Sequence, residues 1–155
     1  MQRLPPTAYF VFLLLLSIST LSACSLSASG EDGQEEPSLA KTGWQLVSLN
    51  ADSADVGTAG QEYRLFFKAE GEFDGVSDCN DVWGRYGSSQ DGSFQIEDMS
   101  STLAQCQPES INEEFVRLLN TVTACSVSDD GGRLTLSSDE GDLVFESVSR
   151  EEFSK

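Results

Sequence analysis

Val76-Ser77-Asp78-Cys79-Asn80-Asp81-Val82-Trp83-Gly84-Arg85-Tyr86 places a cysteine, an asparagine and turn formers between apolar and aromatic flanks, and its reading decides the fold. Asparagine and aspartate stabilise turns through their own backbone hydrogen bonds, so the stretch reads as a structural corner between strands, with Asn80, Gly84 and Tyr86 as its fixed points. Asn80 and Asp81 are turn residues before they are ligand groups. Trp83, like Trp44, is expected in the core. Downstream, Ser101-Thr102-Leu103-Ala104-Gln105-Cys106 brings a second cysteine just ahead of a helix, which ties the middle of the domain together there.

Outward from the corner the chain is strand-like. Trp44–Leu49 and Tyr63–Phe67 precede it, Gly71–Val76 leads into it, Trp83–Tyr86 leaves it, and Gly92–Glu97 alternates with period two. One helix interrupts: Ser110 is placed as N-cap with Glu113 completing a capping box, and Ile111, Phe115, Leu118, Leu119 and Val122 fall on one face. Three more strands follow, in Val122–Val127, Arg133–Leu136 and Asp142–Glu146, separated by Asp/Gly turns. The pattern predicts a mainly β, β-rich α+β fold of about eight short strands, as a β-sandwich or a barrel, with one packed α-helix.

The ends of the chain read differently. Residues 1–23 have a weakly positive start and a short apolar run, too short to span a bilayer, and read as an export signal. Leu21-Ser22-Ala23-Cys24 resembles the lipobox of bacterial lipoproteins, which implies lipidation of Cys24 and membrane attachment through that anchor. Ser25 after the cysteine implies the outer membrane, facing the periplasm. Residues 24–41 are Ser/Gly/Glu-rich and read as a flexible acidic tether, 42–148 as the domain, and 149–155 as a C-terminal tail.

The formal charge of −17, from 26 acidic against 9 basic residues, argues against nucleic acid, whose phosphates need clustered Lys and Arg. It suits a soluble surface or a cationic partner. The chain has no histidine, which removes the common catalytic triads and His-rich zinc sites. No pair of carboxylates is singled out for acid/base work. The acidic stretch at Asp78-Cys79-Asn80-Asp81 fails the calcium-loop pattern, since its glycine is displaced and no glutamate stands at Ser89. No catalytic residue, metal or cofactor is therefore assigned, and the protein is read as a monomer.

With Cys24 lipidated, three cysteines remain, so at most one pair closes within the chain. Three pairings exist. Cys79 and Cys106 lie in turns or loops near strand ends, where backbones approach, whereas Cys125 lies in an apolar strand. The expected bridge is Cys79–Cys106, with Cys125 a buried thiol; a Cys106–Cys125 bond and three free thiols are the alternatives.

Gly43-Trp44-Gln45-Leu46, Cys79-Asn80 followed by Gly84-Arg85-Tyr86, Ser101-Thr102 followed by Cys106, Glu114-Phe115 and Leu134-Thr135-Leu136 together resemble the META domain of HslJ-like heat-shock proteins, over about Thr42 to Val148. Two departures stand out. Asp78 occupies a position where the family usually has glycine, and Leu103-Ala104-Gln105 stands where methionine is common. The resemblance implies a compact domain built on an antiparallel barrel-like sheet of about eight short strands with one packed α-helix, often on envelope lipoproteins and linked to stress tolerance, with no catalytic site. The expectation is a non-enzymatic envelope lipoprotein acting as a binding or stress-protection module on an unknown protein or small-molecule ligand. The alternatives are an inhibitor of a cationic envelope-attacking enzyme such as lysozyme, and a carrier of a small apolar ligand in the barrel interior.

Overall fold

Period-two burial runs through the strand segments and fixes which face of each looks inward. The computed structural model describes residues 22–23, 38–51, 54–57 and 62–149, with side chains described in 38–50 and 62–149. The elements in chain order are β1 (Ser22–Ala23), β2 (Gly43–Ala51), β3 (Ala54–Gly57), β4 (Tyr63–Phe67), β5 (Glu72–Ser77), β6 (Asn80–Ser88), β7 (Phe94–Ser101), α1 (Asn112–Thr121), β8 (Ala124–Val127), β9 (Arg133–Ser138) and β10 (Gly141–Val148). They form one sheet in the order β1-β8-β9-β10-β2-β4-β5-β6-β7, with β3 paired to β2. The named strand pairs are antiparallel.

The eight main strands, β2 and β4 to β10, curl into a half-barrel. At one end its margins meet: the Phe94 amide donates to the Thr123 carbonyl at 2.9 Å and the Cys125 amide to the Gly92 carbonyl at 3.0 Å. The concave side is filled. Phe115, Leu118 and Leu119 of α1 pack there with Trp44, Leu65, Phe67, Phe73, Leu134 and Phe145, all at most 1% exposed. Aromatic contacts organise this core, with the Tyr63 and Phe115 rings 5.1 Å apart and the Phe67 ring 5.0 Å from Tyr86.

Two bulges re-phase the alternation. Opposite Val144 and Phe145 the register skips Val47, which turns outward and is 36% exposed, while Leu46 and Leu49 on either side stay inside. A second shift lies between Trp83 and Arg85. There the β7 backbone presses on Gly84, where a Cβ would lie 2.9 Å from the Phe73 ring and 3.0 Å from the Glu97 carbonyl oxygen. Gly75 is tighter still, since its Cβ would meet the Arg64 carbonyl oxygen at 2.1 Å.

Several boundaries differ from the sequence expectation. Packing begins before Thr42, because Leu39 is 3% exposed and its carbonyl accepts the Trp44 indole N–H at 3.0 Å. The helix starts one residue later than expected: Ile111 is the N-cap, and no side-chain capping bond forms. The Ser110 hydroxyl is shared with Tyr63 Oη at 3.3 Å and accepts the Asn112 amide at 3.2 Å, which holds Ser110 outside the helix. Trp83 is 45% exposed rather than in the core, because Asn80, Val82 and Tyr86 take the inward phase of β6. Cys24, expected to carry the lipid, nearly all of the expected leader, most of the expected tether and all but Ser149 of the expected tail lie outside the described residues.

Close backbone approach at Gly75 gives a direct test. Gly75→Ala should destabilise the domain by about 2 kcal/mol or more, since the new methyl meets backbone that cannot rotate away. Gly87→Ala meets only the flexible Gln95 side chain, at 3.5 Å, and should change stability by less than about 0.5 kcal/mol. Urea denaturation of both variants checks the contrast.

Candidate functional site

The corner is the tight turn of a hairpin. Ser77 pairs with Asn80, leaving Asp78 and Cys79 as the turn, with Asp78 at φ 56°. This is the left-handed region, where glycine costs nothing and aspartate is among the tolerated residues. Asp78 therefore occupies a glycine-type conformation.

Asn80 is 3% exposed, and its carboxamide organises the segment after β7. Its Oδ1 accepts the Ala104 amide at 2.7 Å and the Thr102 hydroxyl at 2.9 Å, and its Nδ2 donates to the Ala104 carbonyl at 3.2 Å. Thr102 in turn accepts the Asp81 amide through Oγ1 at 3.0 Å and donates its own amide to the Asp81 carbonyl at 3.0 Å. Cys79 and Cys106 are joined by a disulfide, with Cα atoms 5.4 Å apart and a sequence separation of 27. Cys125, expected as a buried free thiol, is buried but disulfide-bonded. That expectation rested on removing Cys24 from the count.

The far end of the loop is held by the start of the helix. Ser77, fully buried, donates to Asn112 Oδ1 at 2.7 Å, and Tyr63 Oη accepts the Ile111 amide at 3.0 Å. Burial holds the Tyr63 phenol above its usual range, as it does for Tyr86, whose hydroxyl donates to the Lys68 carbonyl at 2.7 Å. Gly84 and Tyr86 thus sit further along β6, opposite the bulge and in the aromatic core, rather than beside Asn80 and Thr102.

From this braced loop Leu103 projects at 96% exposure. Its exposure follows from the geometry: Thr102 and Ala104 on either side are both turned toward Asn80. No period or motif in the sequence signals it, though a lone leucine among polar loop residues is a hint. The outward Trp83 lies across from Asp74 on β5 and Ser100 on β7. A shallow groove beside it is lined by Lys68, Glu72, Phe73, Gly84, Arg85 and Asp98. Lys68 is engaged there in an ion pair with Asp74.

Asp78, Cys79 and Cys106 place potential metal-ligand atoms within 4.8 Å of one another. Both sulfurs are committed to the disulfide, so the set does not fit a metal. Arg64, Lys68, Arg117 and Arg133 each sit in an ion pair, which leaves an excess of carboxylates facing water. Among the described residues no helix is long and apolar enough to cross a membrane.

The family model for the META domain matches residues 37–150. The chain belongs to the META domain family. The match starts at the edge of the Leu39 packing and takes in the whole half-barrel. Among curated proteins no relative matches the sequence. Two solved structures share the fold. A protein from Burkholderia xenovorans, determined by NMR, is 20% identical with a TM-score of 0.61, covering 79% of this chain and 97% of that one. A DUF4847 family protein from Bacteroides vulgatus, determined by crystallography, is 16% identical with a TM-score of 0.51, covering 70% of this chain and 93% of that one. At these identities the likeness concerns the fold alone.

The bridge and the turn should separate in their energetics. Cys79→Ser is expected to lower stability by about 3.5 kcal/mol, the chain-entropy value for a loop of this length. Asp78→Gly should stay within about 1 kcal/mol of wild type, because relief of the left-handed backbone offsets the added freedom of the unfolded chain. Asp78→Val should cost about 1–2 kcal/mol. Thermal melts of the three variants under non-reducing conditions read all three values.

Proposed function

We propose that this META domain is a non-enzymatic, HslJ-like binding module of the bacterial cell envelope with a stress-protective role, and that it meets a protein partner through the braced corner. The observation that carries the reading is Leu103, 96% exposed on a loop held at Asn80, at the disulfide and at the helix start. A large apolar side chain held rigidly in water loses little entropy on docking and gains by burial, the property of an interface anchor. Asp78, Asp81 and Glu109 near the loop favour a cationic surface opposite. That charge pattern also supports the second reading, an inhibitor of a cationic envelope-attacking enzyme of the lysozyme type. The apolar-carrier reading loses support, because the concave side is filled by side chains.

The lipobox-like Leu21-Ser22-Ala23-Cys24 supports attachment through a lipid on Cys24, with Ser25 favouring the outer membrane. A sulfur carrying a thioether lipid cannot enter a disulfide. Anchored mature protein should therefore show one alkylatable thiol, at Cys125, after denaturation without reductant. A fully oxidised mature protein would count against the anchor.

Docking at the corner is tested by a photo-crosslinking residue placed at Leu103 in cells, with the exposed helix position Asn120 as control. A discrete adduct from position 103, weakened by added salt and missing from position 120, is the expected outcome. Equal labelling from both positions would remove the corner as the interface.

A further inference from the structure

The corner holds chemistry that docking does not use. Cys79 is exposed in the hairpin turn, whereas Cys106 is half-buried behind it. The Asn80 Nδ2 lies 3.4 Å from each sulfur, and the Ala104 carbonyl oxygen lies 3.5 Å from Cys79 Sγ. A disulfide sulfur has no proton to give that carbonyl and is a weak acceptor for that N–H. These groups do little for the closed bridge. Once it opens, both become engaged. The carboxamide N–H then stabilises negative charge on Cys106, and the carbonyl accepts a proton donated by Cys79.

We propose that the Cys79–Cys106 bridge is a thiol–disulfide exchange site, at which a small non-anionic thiol attacks Cys79 and Cys106 leaves as a thiolate held by the Asn80 carboxamide. In the first step the incoming thiolate forms a bond to Cys79 Sγ, the Cys79–Cys106 bond breaks, and the electron pair departs on Cys106 Sγ. A second thiolate then attacks the small-molecule sulfur of the mixed disulfide. Cys79 is released and takes a proton from water, so two thiols are oxidised to their disulfide as the protein bridge gains two electrons. Opening the bridge leaves the corner standing, since Thr102 and Ala104 stay bonded to Asn80, and Ser77 and Tyr63 keep the helix start.

The preference for a non-anionic thiol comes from Asp78, whose carboxylate shares a 4.8 Å cluster with both sulfurs. Asp81, exposed one residue beyond Asn80, adds charge of the same sign. An approaching anion is repelled at this distance and a cation attracted, in a manner that salt screens.

The test uses the full chain purified in detergent with its bridge intact. Cysteamine and 2-mercaptoethanesulfonate are supplied at equal thiolate concentration, and the mixed disulfide is trapped with acid and located by peptide mapping. The adduct is expected on Cys79, at a rate proportional to thiol concentration, with cysteamine faster by about three- to tenfold at low ionic strength. Asp78→Asn should close that gap. Asn80→Asp keeps the oxygen acceptor but replaces the N–H with charge, and should slow exchange by about tenfold or more at unchanged circular dichroism. If Asn80→Asp does not fold, the Asp78→Asn comparison and the site of the adduct still decide. An adduct on Cys106 would overturn the proposal. So would a rate that stays fixed as thiol concentration rises, which marks a bridge that opens only when the whole domain unfolds.

Discussion

The Asn80 carboxamide is the interaction on which the rest of the corner depends. It is buried, and its oxygen and nitrogen together engage both backbone groups of Ala104 and the hydroxyl of Thr102. A buried amide left without partners costs about 1–3 kcal/mol, so the segment after β7 is drawn to this one place. The position of Cys106, the direction of Leu103 and the approach to α1 all follow from where residues 102–104 are fixed. The disulfide then closes a path that the hydrogen bonds have already set.

The half-barrel supplies the frame in which such a side chain can be buried. Its interior is occupied by α1 and aromatic side chains. The period-two phase of β6 turns Trp83 outward and keeps Tyr86 inside, where its hydroxyl reaches the Lys68 carbonyl, while the bulge opposite Gly84 re-phases β7. Both bulges shift the phase of a strand without breaking its pairing, and the one in β2 leaves Val47 in water beside buried Leu46.

Much of this architecture is legible in the sequence because it is written in local signals. Short apolar runs with Asp/Gly punctuation locate the main strands, and the Ile111–Val122 spacing locates the helix. The pairing of Cys79 with Cys106 follows from their position beside strand ends. What resists reading depends on distant partners. Ser110 looks like an N-cap until Tyr63, 47 residues away, engages its hydroxyl. Leu39 looks like tether until the Trp44 indole takes its carbonyl. Trp83 looks like core if aromatics are counted by type, whereas the phase set by Asn80 and Val82 turns it out. The exposure of Leu103 depends on two neighbours that are fixed by a side chain more than twenty residues earlier.

The pairing of β2 with β10 joins the first long strand of the domain to the last. β2 lies between β10 and β4, so its inner residues Trp44, Leu46 and Leu49 wait for a partner that is synthesised about a hundred residues later. A chain that emerges N-terminus first, from a ribosome or a translocation channel, cannot complete this sheet until its final strand is out. Until then the growing polypeptide keeps an unpaired strand edge and remains threadable, and a stop codon ahead of β10 would remove the seam that closes the whole domain rather than trim its end.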